Sequence, residues 1–184
     1  MRKEFGKTII ELAEKDNEIY LIIGDIGYGV FDEFRQKFSN RFINLGIREQ
    51  SMVSFASGMA LEGLKPYVYT ITPFLIERAF EQIKLNVNQQ NVNVKLIGYA
   101  DYPKQGLTHS ELDAEILMGL VGKSVYSDSL KNNLDLEKEF LKRITYERNI
   151  VNYFPKNSIE TRTALIESYQ HKKPTFISLK KDKL

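Results

Sequence analysis

Cysteine is absent from the 184 residues, which excludes thiolate zinc sites, iron–sulfur clusters, cysteine nucleophiles and any disulfide framework. Long apolar runs are missing too: nowhere do the ~18 uninterrupted apolar residues of a membrane helix occur. Neither sign of charge is in clear excess. The 26 Lys and Arg against 24 Asp and Glu leave a formal +2, too small a surplus to indicate nucleic acid or an anionic membrane as partner. No Gly-x-Ser-x-Gly elbow supports a Ser/His/Asp hydrolase, and no Gly-Lys-Ser/Thr supports a phosphate loop. The opening MRKEFGKTIIELAEKD carries acidic residues inside its apolar stretch, unlike a signal peptide, so a cytoplasmic protein is expected. There is no repeat, low-complexity tract or linker. One domain over residues 1–184 is expected, long enough to close a core without disulfides or a structural metal.

Periodicity supplies the fold class. Phe5, Ile9, Leu12 and Ala13 recur at helical spacing and predict a helix over 3–15. The apolar, β-branched run 18–23, stopped by Gly24, suits a strand buried on both faces. The alternation continues with strands at 41–44, 66–71, 92–98, 124–126, 150–153 and 175–179. Helices are expected at 48–62, 74–89, 111–120, 136–145 and 158–169. Strands alternating with helices predict an α/β fold: a doubly wound, mostly parallel sheet with helices on both faces. Ligands of such sheets sit beyond the carboxyl ends of the strands, so the loops that follow strands are where chemistry is sought.

Three of these loops stand out. In the first, glycines at 24, 27 and 29 reverse the Gly-x-Gly-x-x-Gly order of a dinucleotide site. Taken alone, they read as a tight turn with Asp25 as a helix cap. The second leads into a helix carrying Met52, Val53, Phe55, Ala56, Met59 and Ala60, apolar over most of its circumference. Such a helix is buried all round, which in a small domain suggests that one side meets another chain. Glu49 in its first turn is then either a carboxylate near an interface, paired or used, or an ordinary first-turn Glu favoured by the helix dipole or paired with Arg48. The third loop holds His109 beside Glu111 and Asp113. One histidine with two carboxylates is a weak metal set, so Ser110 or Thr108 is expected to cap the next helix while His109 faces a cleft. His171, among lysines, reads as solvated and inert.

The residues FINLGIREQSMVSFASGMALEGLKPYVYTITPFLIERAFEQIK, then VNVKLIGYA and GLTHSELDAE, resemble the pyrimidine-binding domain of transketolase-family thiamine diphosphate enzymes. The likeness runs from Arg2-Lys3 through Gly24-Asp25 to PTFISLKK and covers nearly the whole chain. It implies the thiamine diphosphate-binding fold and a role for Glu49: hydrogen bonding to N1′ of the aminopyrimidine, favouring the imino tautomer through which C2 of the thiazolium loses its proton. A buried carboxyl suits that role. The resemblance makes Phe74 the aromatic that stacks on the pyrimidine, puts Ile71 and Glu77 where the pocket often has two further aromatics, and implies Asp25 and Ile71 as cofactor-binding residues beside Glu49 and Phe74. His109 matches the Gly-x-Thr-His histidine that hydrogen-bonds a substrate oxygen. Arg2 and Lys181 fall where sugar-phosphate enzymes place phosphate-binding arginines, although Lys lacks the bidentate fork. The loop 98–106 is short, and Gln105 replaces an acidic residue.

Gly24-Asp25-Ile26 replaces the Gly-Asp-Gly that, with a downstream Asn, holds the diphosphate and its Mg2+ in another domain of the family. No metal ligands are therefore expected here. The resemblance implies a split transketolase-like enzyme whose diphosphate-binding subunit is a separate polypeptide, an α2β2 heterotetramer with sites at the interfaces. The implied reaction moves a two-carbon ketol or acyl unit from a ketose or 2-oxo acid to an aldehyde. Relatives of the 2-oxo acid dehydrogenase β subunit or of deoxyxylulose-phosphate synthase are alternatives, as is a non-catalytic scaffold subunit.

Overall fold

A computed structural model describes residues 1–125 and 146–181. Helix α1 (Arg2–Ala13) leads to strand β1 (Ile19–Ile23), helix α2 (Asp32–Lys37), strand β2 (Phe42–Asn44), helix α3 (Glu49–Leu61) and strand β3 (Lys65–Thr70). Next come α4 (Thr72–Ile76), the short α5 (Phe80–Gln82), a π-helix (Ile83–Gln89) and β4 (Lys95–Tyr99). Helix α6 (Ala114–Gly119), β5 (Gly122–Ser124), β6 (Ile150–Tyr153), α7 (Ser158–Gln170) and β7 (Thr175–Leu179) complete the described elements. The strands form one parallel sheet in the order β2-β1-β3-β4-β7-β6-β5. The chain passes from β1 outward to β2 but from β3 the other way to β4, so the crevice expected of a doubly wound sheet opens at the ends of β1 and β3.

Strand alternation divides the core into two layers, as period-2 geometry requires. Leu21, Tyr67, Tyr69, Ile97 and Ile177 point to one face, where Phe5 and Ile9 of α1, Phe34 of α2 and Leu165 of α7 cover them. Ile22, Val68, Leu96 and Phe176 point to the other, against α3, α4, the π-helix and α6. Phe5 stacks on Tyr69 at 5.6 Å, and Phe31 meets the same ring edge-on at 4.7 Å. Arg162 of α7 bridges to Glu11 and Glu4 of α1 at 2.6 and 3.4 Å, pairs exposed enough to add little to stability. Among the described residues no helix is long and apolar enough to cross a membrane.

Several boundaries differ from expectation for identifiable reasons. The single helix expected over 74–89 starts earlier, with Pro73 in its first turn where a missing N–H costs nothing, and is interrupted at 77–79. Its π-helical continuation brings Asn88 onto the buried side, where its amide bonds the backbone of residues 147 and 149. The helix expected at 111–120 begins only at Ala114, because Asp113 caps it by accepting from Ile116 N–H at 3.0 Å. Ser110 and Thr108 therefore cap nothing there. Helix α2 was unforeseen, although Phe31, Phe34 and Phe38 recur at helical spacing. The helix expected at 136–145 lies outside the described residues, as does Tyr126 of the strand expected at 124–126.

His171 is not the solvated residue its lysine neighbours suggested. Its ring lies parallel to Tyr153 at 6.3 Å, with Nε2 3.2 Å from the tyrosine oxygen, and burial, then Lys95, pull its pKa down. Lys95 is itself buried, donating to the carbonyls of Lys173 (2.8 Å) and His171 (3.3 Å) and to the Thr175 hydroxyl (3.3 Å). Burial lowers its pKa to about 7.

Gly98 in β4 is fixed by close approach. A Cβ there would sit 2.8 Å from Thr72 Oγ1 and 3.3 Å from Thr72 Cα, at the start of α4. Gly98→Ala is expected to destabilise the domain by about 1–3 kcal/mol, the range for overpacking, seen as a fall of several degrees in Tm; an unchanged Tm would show that α4 yields freely.

Candidate active site

Loops from four strands converge at the carboxyl edge of the sheet. After β1, Asp25 adopts a left-handed backbone (φ 56°) and is exposed. Its carboxylate accepts from the Tyr28 hydroxyl at 2.7 Å and the Asn44 amide at 3.0 Å, which hold its pKa below the usual carboxylate range. It is not a helix cap, since α2 starts only after Phe31.

After β2 the chain enters α3 with Glu49 as its first residue. This carboxyl is 3% exposed. Its Oε2 lies 3.3 Å from Arg78 Nη1, so the ion pair envisaged with Arg48 is made by a residue 29 positions away. Its Oε1 is buried without a hydrogen-bond partner. Met52, Val53 and Ala56 continue the inward face, whereas Phe55 and Leu61 are 44% and 65% exposed. The helix expected to be buried all round is thus buried on one side in the single chain. Its outward side presents Ser51, Ser54 and Gly58 between those two apolar residues.

After β3, buried Ile71 precedes α4, and Phe74 follows one turn on. The guanidinium carbon of Arg78 lies 3.4 Å from the centre of the Phe74 ring. The His109 ring meets the same phenyl at 4.8 Å and 64°. Glu77 pins the His109 loop to α4 by accepting from Leu112 N–H at 2.8 Å, and Thr108 Oγ1 lies 3.1 Å from His109 Nδ1. Glu49, Phe74 and His109 are thereby brought together, with Arg78 as the link. Arg2 and Lys181 lie on another part of this edge: Arg2 is 4.8 Å from the Tyr99 ring centre, and Lys181 is 4.0 Å from that of Tyr102. Arg78 was missed in the sequence. The available signal was its position four residues after Phe74, the spacing of contacting side chains in the helix expected over 74–89.

The family model described as "Transketolase, pyrimidine binding domain" matches residues 1–184. The chain belongs to this family. Over 95 residues this pyrimidine-binding domain is 42% identical to an uncharacterized 33.6 kDa protein in the fasciation locus of Rhodococcoides fascians, covering 52% of this chain and 30% of that one. It is 31% identical over 129 residues to an apulose-4-phosphate transketolase subunit of Phocaeicola vulgatus, covering 67% and 41%. It is 40% identical over 93 residues to 1-deoxy-D-xylulose-5-phosphate synthase of Clostridium perfringens, covering 50% and 15%. The matches thus span between 15% and 41% of these relatives' own lengths. Among solved structures, one described as a split gene transketolase, an inactive β4 tetramer, superposes with a TM-score of 0.76 at 22% identity, over 100% of this chain and 51% of that one. Transketolase from Campylobacter jejuni gives 0.71 at 17%, over 100% and 26%. At these identities the superpositions establish the fold.

The pyrimidine-binding domain also has a cleft of about 560 Å3, lined by Asp101, Glu111, Asp113, Phe154, Lys180 and Lys181 and by none of Glu49, Phe74, Arg78 or His109. Burial, then the charge of Asp101, push the Glu111 carboxyl up to about 7. A carboxyl whose folded pKa exceeds its unfolded value of 4.5 binds more protons folded than unfolded, so its contribution to stability falls as pH rises from about 4.5 to 7. Glu111→Gln is expected to reduce the fall in Tm between pH 5 and pH 8; an identical pH profile would contradict the burial of this group.

Proposed function

We propose that this chain provides the pyrimidine-side half of a thiamine diphosphate site in a split, transketolase-like transferase. The observation that carries this reading is the buried, partnerless Oε1 of Glu49, whose other oxygen meets the Arg78 guanidinium that lies on the Phe74 ring. Leaving a buried polar atom unsatisfied costs about 1–3 kcal/mol, a penalty relieved when a ring nitrogen arrives to share a proton with it. Glu49 and Phe74 therefore fit an aminopyrimidine, the first through a hydrogen bond at N1′ and the second through its flat apolar face, with Ile71 as part of the wall. When bound, thiamine diphosphate supplies an electron sink for cleavage next to a carbonyl. Glu49 holds the proton at N1′ and so favours the imino tautomer. His109, edge-on to Phe74, reaches the space above the ring and hydrogen-bonds a donor hydroxyl or carbonyl oxygen. Arg2 and Lys181 offer positive charge to a substrate phosphate. The unit moved is a two-carbon ketol or acyl group, from a ketose or 2-oxo acid to an aldehyde.

The diphosphate and its Mg2+ are assigned to a separate subunit. Asp25, exposed after β1 and held in place by Tyr28 and Asn44, is this chain's own polar contribution to the cofactor-facing edge. Similarity to one subunit of an apulose-4-phosphate transketolase and to a split gene transketolase supports a two-chain enzyme. The outward side of α3, with small residues between Phe55 and Leu61, suits close packing against another chain in an α2β2 assembly in the cytoplasm. A deoxyxylulose-phosphate-synthase-like reaction is the second reading, favoured by 40% identity over the segment shared with that enzyme.

In the reconstituted two-subunit enzyme, Glu49→Gln is expected to lower turnover at least ~100-fold, as for loss of a positioned proton-transfer group, while size-exclusion chromatography shows unchanged assembly. Retained turnover would reject the role of Glu49. Calorimetry of this chain alone with thiamine diphosphate and Mg2+ is expected to show no tight binding, and sub-micromolar affinity would contradict the half-site.

A further inference from the structure

Arg78 touches the two side chains that the proposed function assigns to the cofactor ring. One guanidinium touches both groups an aminopyrimidine would need: it lies 3.3 Å from the Glu49 carboxylate and 3.4 Å from the Phe74 ring centre. Phe74 is only 9% exposed, and Arg78 and the His109 ring both lie against it. The chemical likeness is close. A guanidinium is flat, stacks on aromatics and directs N–H donors from an N–C–N edge at a carboxylate, as an aminopyrimidine bound to Glu49 does.

We propose that Arg78 acts as an internal surrogate for the pyrimidine ring, closing the half-site in the cofactor-free chain and swinging out when the ring enters. The contact is built to be displaced. It engages one carboxylate oxygen at 3.3 Å, longer than the 2.7–2.9 Å of a strong charge-assisted bond, and leaves Oε1 unsatisfied. The Arg78 side chain is 38% exposed and springs from the interruption at 77–79 between α4 and α5, so it can turn outward without unwinding a regular helix. With Arg78 in place, the buried carboxylate of Glu49 keeps a counter-charge and Phe74 is covered.

This inference rests on the pyrimidine-site reading, and its test separates the two. Thiamine diphosphate with Mg2+ is titrated calorimetrically into the full assembly of this chain with its diphosphate-binding subunit, carrying wild-type chain, Arg78→Ala or Arg78→Lys. If the closed form dominates roughly 5:1 to 10:1, apparent affinity is reduced by about that factor, so Arg78→Ala is expected to bind about five- to tenfold tighter. Arg78→Lys, which keeps the charge but not the plane, is expected to fall between the two and carries the comparison if the alanine variant does not fold. A crystal structure of the cofactor-bound wild-type assembly should show Arg78 off the Phe74 face. Variants binding equally or more weakly, or Arg78 still stacked on Phe74 beside bound cofactor, overturn the surrogate role and leave the function standing. No binding by any of the three proteins overturns both.

Discussion

A carboxyl group withdrawn from water at the start of α3, with one oxygen in a long ion pair and the other in none, is the constraint around which this domain is organised. Burying charge is unfavourable unless the group is paired or used. Arg78 answers that demand only in part. The partial answer makes the same residues readable as a site: a proton-sharing oxygen, a flat aromatic wall and a histidine against its edge occur together at the end of a rigid sheet.

The sheet makes that convergence possible. Glu49, Phe74 and His109 lie on segments that follow β2, β3 and β4, and parallel pairing brings those strand ends to one edge. Gly98 allows the start of α4 to press against β4, and the Glu77 contact with Leu112 carries the histidine loop toward Phe74. Two apolar layers cover the sheet and leave its carboxyl edge to polar side chains, the usual division between scaffold and site in open α/β folds. Under the proposed function, the exposed side of α3 is where a second chain would complete what this edge begins.

Much of the scaffold was legible in the amino-acid order because buried parallel strands leave apolar, β-branched runs, as at 18–23 and 175–179. Glu49, Phe74 and His109 were legible as a group only through their joint resemblance to a family; no local pattern says that His109 meets the Phe74 ring or that Arg78 joins that ring to Glu49. What escaped depended on tertiary partners. Arg48 and Arg78 are equally cationic in sequence, and only the fold selects the second for Glu49. Asp25 looked like a cap until Tyr28 and Asn44 claimed it, and His171 looked solvated until Tyr153 lay parallel to its ring. Backbone irregularity escaped for the same reason: the interruption at 77–79 and the π-helix after it follow from where Glu77 and Asn88 find partners, not from intrinsic propensity.

The central claim is that the free carboxyl oxygen of Glu49 receives a ring nitrogen of thiamine diphosphate held at its other end by a second polypeptide. A crystal structure of the two-subunit assembly with cofactor and Mg2+ tests it most directly. The account predicts the Glu49 carboxyl within hydrogen-bonding distance of N1′, about 2.5–3.2 Å, with the diphosphate in the other chain. A cofactor ring bound away from Glu49, or a diphosphate gripped by this chain, would contradict it.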